Sequence, residues 1–129
     1  MISKKAKYAL KALKVLAEKY ESKQPVLIAE IAEKENIPKK FFNNGILHSQ
    51  KGKGGGYQLR IAPDQVPISK VIRAIDGPIA PMLCVSLHFY GKCDDCADEV
   101  TCRIRPIMEK IRDANLAVYE HTTLQNLID

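Results

Sequence analysis

All four cysteines of the chain fall within nineteen residues, spaced Cys84-x8-Cys93-x2-Cys96-x5-Cys102. Thiolates are soft donors that suit iron–sulfur clusters and zinc alike, and four free core thiols rarely crowd together in a small reduced protein. Metal binding is therefore the leading expectation. A structural zinc site usually pairs two short knuckles, whereas only Cys93 and Cys96 stand close here, which tilts the expectation towards an iron–sulfur cluster. A cluster needing fewer than four thiolates leaves one cysteine structural; Cys84 is that one, or else an alternative ligand. Structural zinc, and reversible oxidation of Cys93 with Cys96, are the other chemistries the spacing allows. His88 lies inside the segment, but singly placed histidines are more often solvated or structural than ligating.

A second stretch with chemical character is Ser49-Gln50-Lys51-Gly52-Lys53-Gly54-Gly55-Gly56-Tyr57-Gln58-Leu59. Two β-like runs, 45–49 and 57–60, flank a loop in which four glycines surround two lysines with no acidic residue nearby. Glycine leaves no Cβ between the loop and an approaching partner and permits φ > 0. A bare cationic hairpin tip suits a phosphate backbone and the edge of a groove; an ordinary flexible hairpin kept soluble by its lysines is the plain alternative. Gly52-x-Gly54 follows a strand but opens no helix, so the context of a nucleotide-binding loop is missing. No Ser/His/Asp set or paired-carboxylate arrangement is apparent, and the chain is not expected to be an enzyme.

Several elements must position these groups. Residues 4–20 read as an amphipathic helix, with Ala6, Ala9, Leu10, Leu13, Leu16 and Ala17 at three- and four-residue spacings and Ser3 as its N-cap. Lys4, Lys5 and Lys7 crowd the positive end of that helix dipole, a conflict that a bound anion would relieve. Ile28, Ile31 and Ala32 give a short amphipathic helix. Asn36-Ile37-Pro38 breaks it and starts another, with Pro38 suited to a first turn. Helix, tight turn and second helix followed by a glycine–lysine hairpin is the pattern of a winged helix-turn-helix, and DNA is the expected partner. The second helix is short, however: 39–45 leaves barely two turns before Gly45. Residues 61–67 read as a loop, 69–77 as a short helix stopped by Gly77, and 78–81 as an extended connector. From about Thr101 to Glu120 runs the longest periodic stretch, with Ile104, Ile107, Met108, Ile111, Ala114, Ala117 and Val118 in one apolar stripe. A helix of about 20 residues reaches about 30 Å, too long to bury its stripe in so small a domain. Self-association as a two-fold dimer is the expected solution. Thr122-Thr123-Leu124-Gln125 resembles a capping box opening a last short helix through Ile128.

With 129 residues the chain is long enough for one modest core and an appended dimerisation element. Lys and Arg outnumber Asp and Glu by 20 to 15, and the net charge of +5 favours a polyanionic partner. No stretch approaches the roughly 18 apolar residues of a membrane span. The opening Met1-Ile2-Ser3-Lys4-Lys5-Ala6-Lys7 lacks a signal-peptide core, so a cytoplasmic location is expected.

Taken together, these motifs resemble those of the Rrf2-type winged-helix transcription regulators. The likeness spans almost the whole chain. It is carried by residues 3–9, 28–32, 51–57, 71–77 and 122–124. The resemblance implies a mostly α fold with a small β-hairpin wing (α+β): a winged helix-turn-helix domain over 1–80, a cysteine-rich sensor loop over 81–103, and a dimerisation helix with a short final helix over 104–129. It implies a homodimer bound to double-stranded DNA. Ser3, Lys4 and Tyr8 correspond to the family's N-terminal phosphate contacts, and Pro38, Lys39 and Lys40 to the start of its recognition helix. The wing comprises Lys51, Lys53, Gly54, Gly55 and Gly56. Cluster-binding members use three cysteines between wing domain and dimer helix, here Cys93, Cys96 and Cys102, with Cys84 as the alternative first ligand and [2Fe-2S] as the implied cluster. The chain departs from the family in two places. Its recognition helix is about two turns shorter, and Arg105 stands where the iron–sulfur repressor has a histidine three residues after the last cysteine.

Overall fold

The computed structural model describes residues 2–26, 45–50 and 55–129, with no side-chain description at Gln50. Three α-helices and one antiparallel hairpin make up the regular structure of these residues: α1 (Lys4–Glu18), β1 (Leu47–Gln50), β2 (Gly56–Leu59), α2 (Ile68–Asp76) and α3 (Arg105–His121), joined by short 3-10 turns. The expected helix-turn-helix over 28–44 and the wing tip from Lys51 to Gly54 lie outside the described residues.

α1 begins as its sequence predicts. The Ser3 hydroxyl accepts the Ala6 N–H at 3.0 Å, satisfying one of the helix's orphan donors. The helix ends two residues early: the Tyr20 N–H bonds the Ala17 carbonyl in a tightened last turn, and Lys23 turns the chain with φ of 58°. Val26 then pairs with Tyr57 through two backbone hydrogen bonds of 2.8 and 2.9 Å, giving the hairpin a third, one-residue edge. In the hairpin itself Leu47 faces Leu59 and Gln50 faces Gly56, so period-two alternation turns Leu47 and Leu59 into the core. Gly45, with φ of 75°, makes the bend that leads into β1.

The core gathers Leu13, Leu16 and Ala17 of α1, Ile46, Leu47 and Leu59 of the hairpin, Val71 and Ile72 of α2, and Leu124 from the far end of the chain. The last contribution depends on backbone pairing: the Ile68 N–H bonds the Thr122 carbonyl at 2.7 Å and the Leu124 N–H bonds the Val66 carbonyl at 3.0 Å. The capping box is displaced by one residue from its predicted place. Thr123 rather than Thr122 is the N-cap, its N–H donating to Asn126 Oδ1 at 2.8 Å, and it opens a 3-10 turn over Leu124–Leu127. Thr122 is instead engaged in that pairing, which leaves Thr123 to cap. Because Leu124 is fully buried, Leu124→Ala is expected to cost about 2–5 kcal/mol, a large share of a domain's roughly 5–15 kcal/mol. A lower denaturant midpoint at unchanged slope will check this.

The long helix is shorter than its periodicity suggests, 17 residues from Arg105 to His121, or about 25 Å. Pro106 is the reason. Proline lacks an N–H and its ring clashes with the carbonyl four residues back, so it is tolerated only in a first turn, and residues 101–104 are left outside. α3 packs on α2, where Leu116 is buried and Tyr119 lies against the core, and Arg73 meets Glu120 at 3.2 Å. Its predicted stripe points the other way. Ile104, Ile107 and Val118 are 55%, 56% and 64% exposed, and Ile111 is exposed with them.

Candidate nucleic-acid interface and cysteine cavity

The N-terminal turn of α1 presents a dense cationic surface. Lys4, Lys5, Lys7 and Lys11 are all exposed, and the Lys7 and Lys11 ammonium groups lie 5.1 and 5.8 Å from the centre of the Tyr8 ring, within cation–π range. Tyr8 thus stands among the lysines as an exposed ring carrying a hydroxyl. Ser3 caps the helix and also binds across the fold: its N–H and its hydroxyl both donate to the Asp76 carboxylate, at 2.9 and 2.5 Å. This brings a carboxylate of the protein itself to the lysine-rich helix end. Gly55 precedes β2 and Gly56 opens it opposite Gln50, at the base of the loop that carries Lys51, Lys53 and Gly54. Those three residues, with Pro38, Lys39 and Lys40, lie outside the described residues.

Between α2 and α3 the chain folds the cysteine segment around one cavity of about 510 Å³, lined by all four cysteines together with Met82, Ile104 and Arg105 among others. Cys84 sits on a 3-10 turn, Leu83–Val85, and is only 4% exposed. Cys93, Cys96 and Cys102 are partly exposed. Short turns hold them: the Cys96 N–H bonds the Cys93 carbonyl and the Cys102 N–H bonds the Glu99 carbonyl, each at 3.3 Å. The Tyr90 hydroxyl donates to Glu99, which with the adjacent carboxylate charge raises its ionisation above the ordinary phenol range. Burial pushes the Cys93 thiol up, and the neighbouring Cys84 adds to the effect. His88 is exposed and does not line the cavity.

Two arginines of α3 hold the back wall. Arg105 Nη2 donates to the Cys84 carbonyl at 3.4 Å and Arg112 Nη1 to the Val85 carbonyl at 2.8 Å. Seven residues apart, they project from one face of the helix two turns from each other. Sequence reading missed Arg112; the signal was its seven-residue spacing from Arg105 and four-residue spacing to Leu116, opposite the apolar stripe. Among the described residues Arg105 Nε is buried with no hydrogen-bond partner, while Nη1 of the same guanidinium pairs with Glu109 at 3.2 Å. Thiols are soft donors that suit a thiolate-held metal group. The thiols share the cavity without converging: among the described residues, no three His, Cys, Asp or Glu side chains are gathered closely enough to hold a metal ion.

A cationic helix end and an antiparallel hairpin share one core, and a cysteine segment leads into a helix with an exposed apolar face, an arrangement that fits a winged-helix regulator. The chain belongs to the Rrf2 family, described as an iron-dependent transcriptional regulator, which it matches over residues 2–129. A Rhodobacter capsulatus protein named for its likeness to Rrf2 is 41% identical, the match covering 99% of this chain and 92% of that protein. The transcriptional regulator CymR of Bacillus subtilis is 30% identical, with 98% and 88% covered. The solved structure of CymR, the global cysteine regulator of B. subtilis, superposes with a TM-score of 0.73, covering 98% of this chain and 95% of that one. An oxidised form of Staphylococcus aureus CymR superposes with a TM-score of 0.70 at 25% identity, over 100% and 96% of the two chains. Among the described residues no helix is long and apolar enough to cross a membrane.

Proposed function

We propose that the protein is a cytoplasmic, homodimeric, non-enzymatic regulator that binds double-stranded DNA and senses iron–sulfur, redox or nitrosative state through its cysteine segment. The proposed division of labour is a DNA-binding unit over 1–80, a sensor over 81–103, and a dimerisation element over 104–129. One observation carries this reading. The four cysteines line a single cavity whose back wall is tied by Arg105 and Arg112 to α3, and the opposite face of α3 is apolar and exposed. Whatever changes the cysteine segment therefore pulls on the helix that sets the spacing of two DNA-binding units.

Ser3, Lys4 and Tyr8, Pro38, Lys39 and Lys40, and the wing Lys51, Lys53, Gly54, Gly55 and Gly56 form the proposed DNA-facing set. Cys93, Cys96 and Cys102 are the proposed ligands of an iron–sulfur cluster, [2Fe-2S] in type, with Cys84 as the alternative or additional thiolate. A bound cluster would supply oxidant- and nitric-oxide-reactive iron; the chain supplies the thiols and the apolar lining. The deciding measurement is an absorption spectrum of anaerobically purified protein, with iron, sulfide and zinc quantified on the same sample. Visible charge-transfer bands with matching iron and sulfide are expected. Zinc alone would make this a winged-helix interaction module with a structural metal. A metal-free, colourless protein would leave a thiol switch, with Cys93 and Cys96 as the pair that oxidises reversibly.

The wing is tested separately. Lys51→Ala with Lys53→Ala is expected to weaken binding to every duplex alike. It should also lower the slope of log K against log salt by about 0.9 for each phosphate no longer neutralised. Unaltered binding removes the wing from the proposed interface.

A further inference from the structure

The first turn of α1 has a local electrostatic fault and a remote repair. Helix N-termini carry partial positive charge, and lysines there are unfavourable; this helix begins Lys4-Lys5 and adds Lys7 within its first turn. Asp76, the last residue of α2, brings a carboxylate to that end across 73 residues of sequence. Oδ2 accepts the Ser3 N–H at 2.9 Å and Oδ1 accepts the Ser3 hydroxyl at 2.5 Å, while the same Ser3 oxygen accepts the Ala6 N–H at 3.0 Å.

These three bonds limit what Ser3 can do. A serine has two protons to donate, one on its backbone nitrogen and one on its hydroxyl, and Asp76 takes both. Ser3 is the handle by which the first turn is gripped, and the grip comes from the residue just before Gly77, whose φ of 83° ends α2. Lys4 directly follows the gripped residue, and Tyr8 stands one turn further on among the lysines.

We propose that Asp76 is a positioning residue for DNA binding: by holding Ser3 through two hydrogen bonds it fixes the first turn of α1, so that Lys4 and Tyr8 meet the duplex backbone in one orientation. Asp76 itself makes no DNA contact. The inference rests on the reading of this helix end as DNA-facing. A carboxylate near a polyanion opposes binding by charge alone, so its removal should strengthen binding if charge were its only effect. As a positioning group, its removal weakens binding. The two roles predict opposite signs.

The experiment uses the full-length protein and a duplex of defined mixed sequence, titrated over a series of salt concentrations. Asp76→Ala is expected to weaken binding about tenfold and to flatten the salt dependence by about 0.9, the equivalent of one phosphate. Ser3→Ala removes the hydroxyl's bonds to Oδ1 and to the Ala6 N–H but keeps the backbone N–H bond to Oδ2, so it should weaken binding less, and the double variant should fall short of the sum of the two single effects. The slope separates positioning from damage: partial unfolding lowers the number of active molecules, whereas mispositioning lowers the number of phosphates each molecule engages. Asp76→Asn, which keeps the shape and one acceptor, should fall between parent and Asp76→Ala, and it decides the matter if Asp76→Ala does not fold. Lys4→Ala tests the underlying surface. If Lys4→Ala weakens binding while folded Asp76→Ala or Asp76→Asn leaves it unchanged or tighter, the positioning role is overturned and the surface stands. If Lys4→Ala also changes nothing, the surface itself is wrong and the proposal falls with it.

Discussion

An Ile107→Asp, Ile111→Asp variant should run as a monomer at concentrations where the parent chain runs as a dimer, and should bind a two-half-site duplex about 10²–10⁴-fold more weakly. The first part follows from the outward stripe of α3, where Ile104, Ile107, Ile111 and Val118 recur at helical spacing and remain exposed in the single chain. An uncompensated carboxylate at the centre of a dimer interface costs several kcal/mol, about 3–5 where a charge is left buried and unpaired. The second part is avidity: once one unit is bound, its tethered partner sees an effective concentration that free units do not, worth about 10²–10⁴. The fold itself should tolerate the change, because exposed substitutions usually shift stability by no more than about 0.5 kcal/mol. Sedimentation and a denaturant melt on the same sample check both points. A variant that stays dimeric would show that α3 is not the dimer surface.

Replacing Cys96 with Ala is expected to abolish the visible absorption of anaerobically purified protein and to release its iron and sulfide together. Cys96 and Cys102 keep the five-residue separation that the family resemblance assigns to the last two ligands, and each sits on a short turn at the mouth of the cavity. Removing a thiolate from such a set leaves an open iron position for water or oxidant. Retention of an unchanged spectrum would exclude Cys96 as a ligand. The same measurement on Cys84→Ala separates a three-cysteine set from a four-cysteine one, because Cys84 reaches the cavity from its own buried turn.

Much of the scaffold was legible because its signals are local. The spacing of Leu13, Leu16 and Ala17, the Ser3 cap and the Gly77 stop each belong to one helix and its ends, and all three appear in the structure. The paired β-like runs around the glycine loop likewise become β1 and β2. The cysteines could be named but not arranged, since the turn at Leu83–Val85 and its two arginine ties join residues 21 and 27 positions apart. α3 was hard to orient because it is apolar on two sides: the isoleucines made the stronger stripe, while Leu116 and Tyr119 make the inward contact. The tie from Ser3 to Asp76 was not legible, because its partner lies 73 residues away. Proline gave the true start of α3, a signal that the longer hydrophobic rhythm overrode.

The backbone pairing of residues 66–68 with 122–124 has a consequence for synthesis. Leu124 fills the same core as Leu13 and Leu16, so a nascent chain that has released only its N-terminal half lacks one wall of that core. Chains are made at about 5–20 residues per second, and closing so long a loop must await its far end. Until Leu124 leaves the ribosome, Val66, Val71 and their neighbours have an incomplete apolar surface. The N-terminal half should therefore mature only after the cysteine segment and α3 have been made.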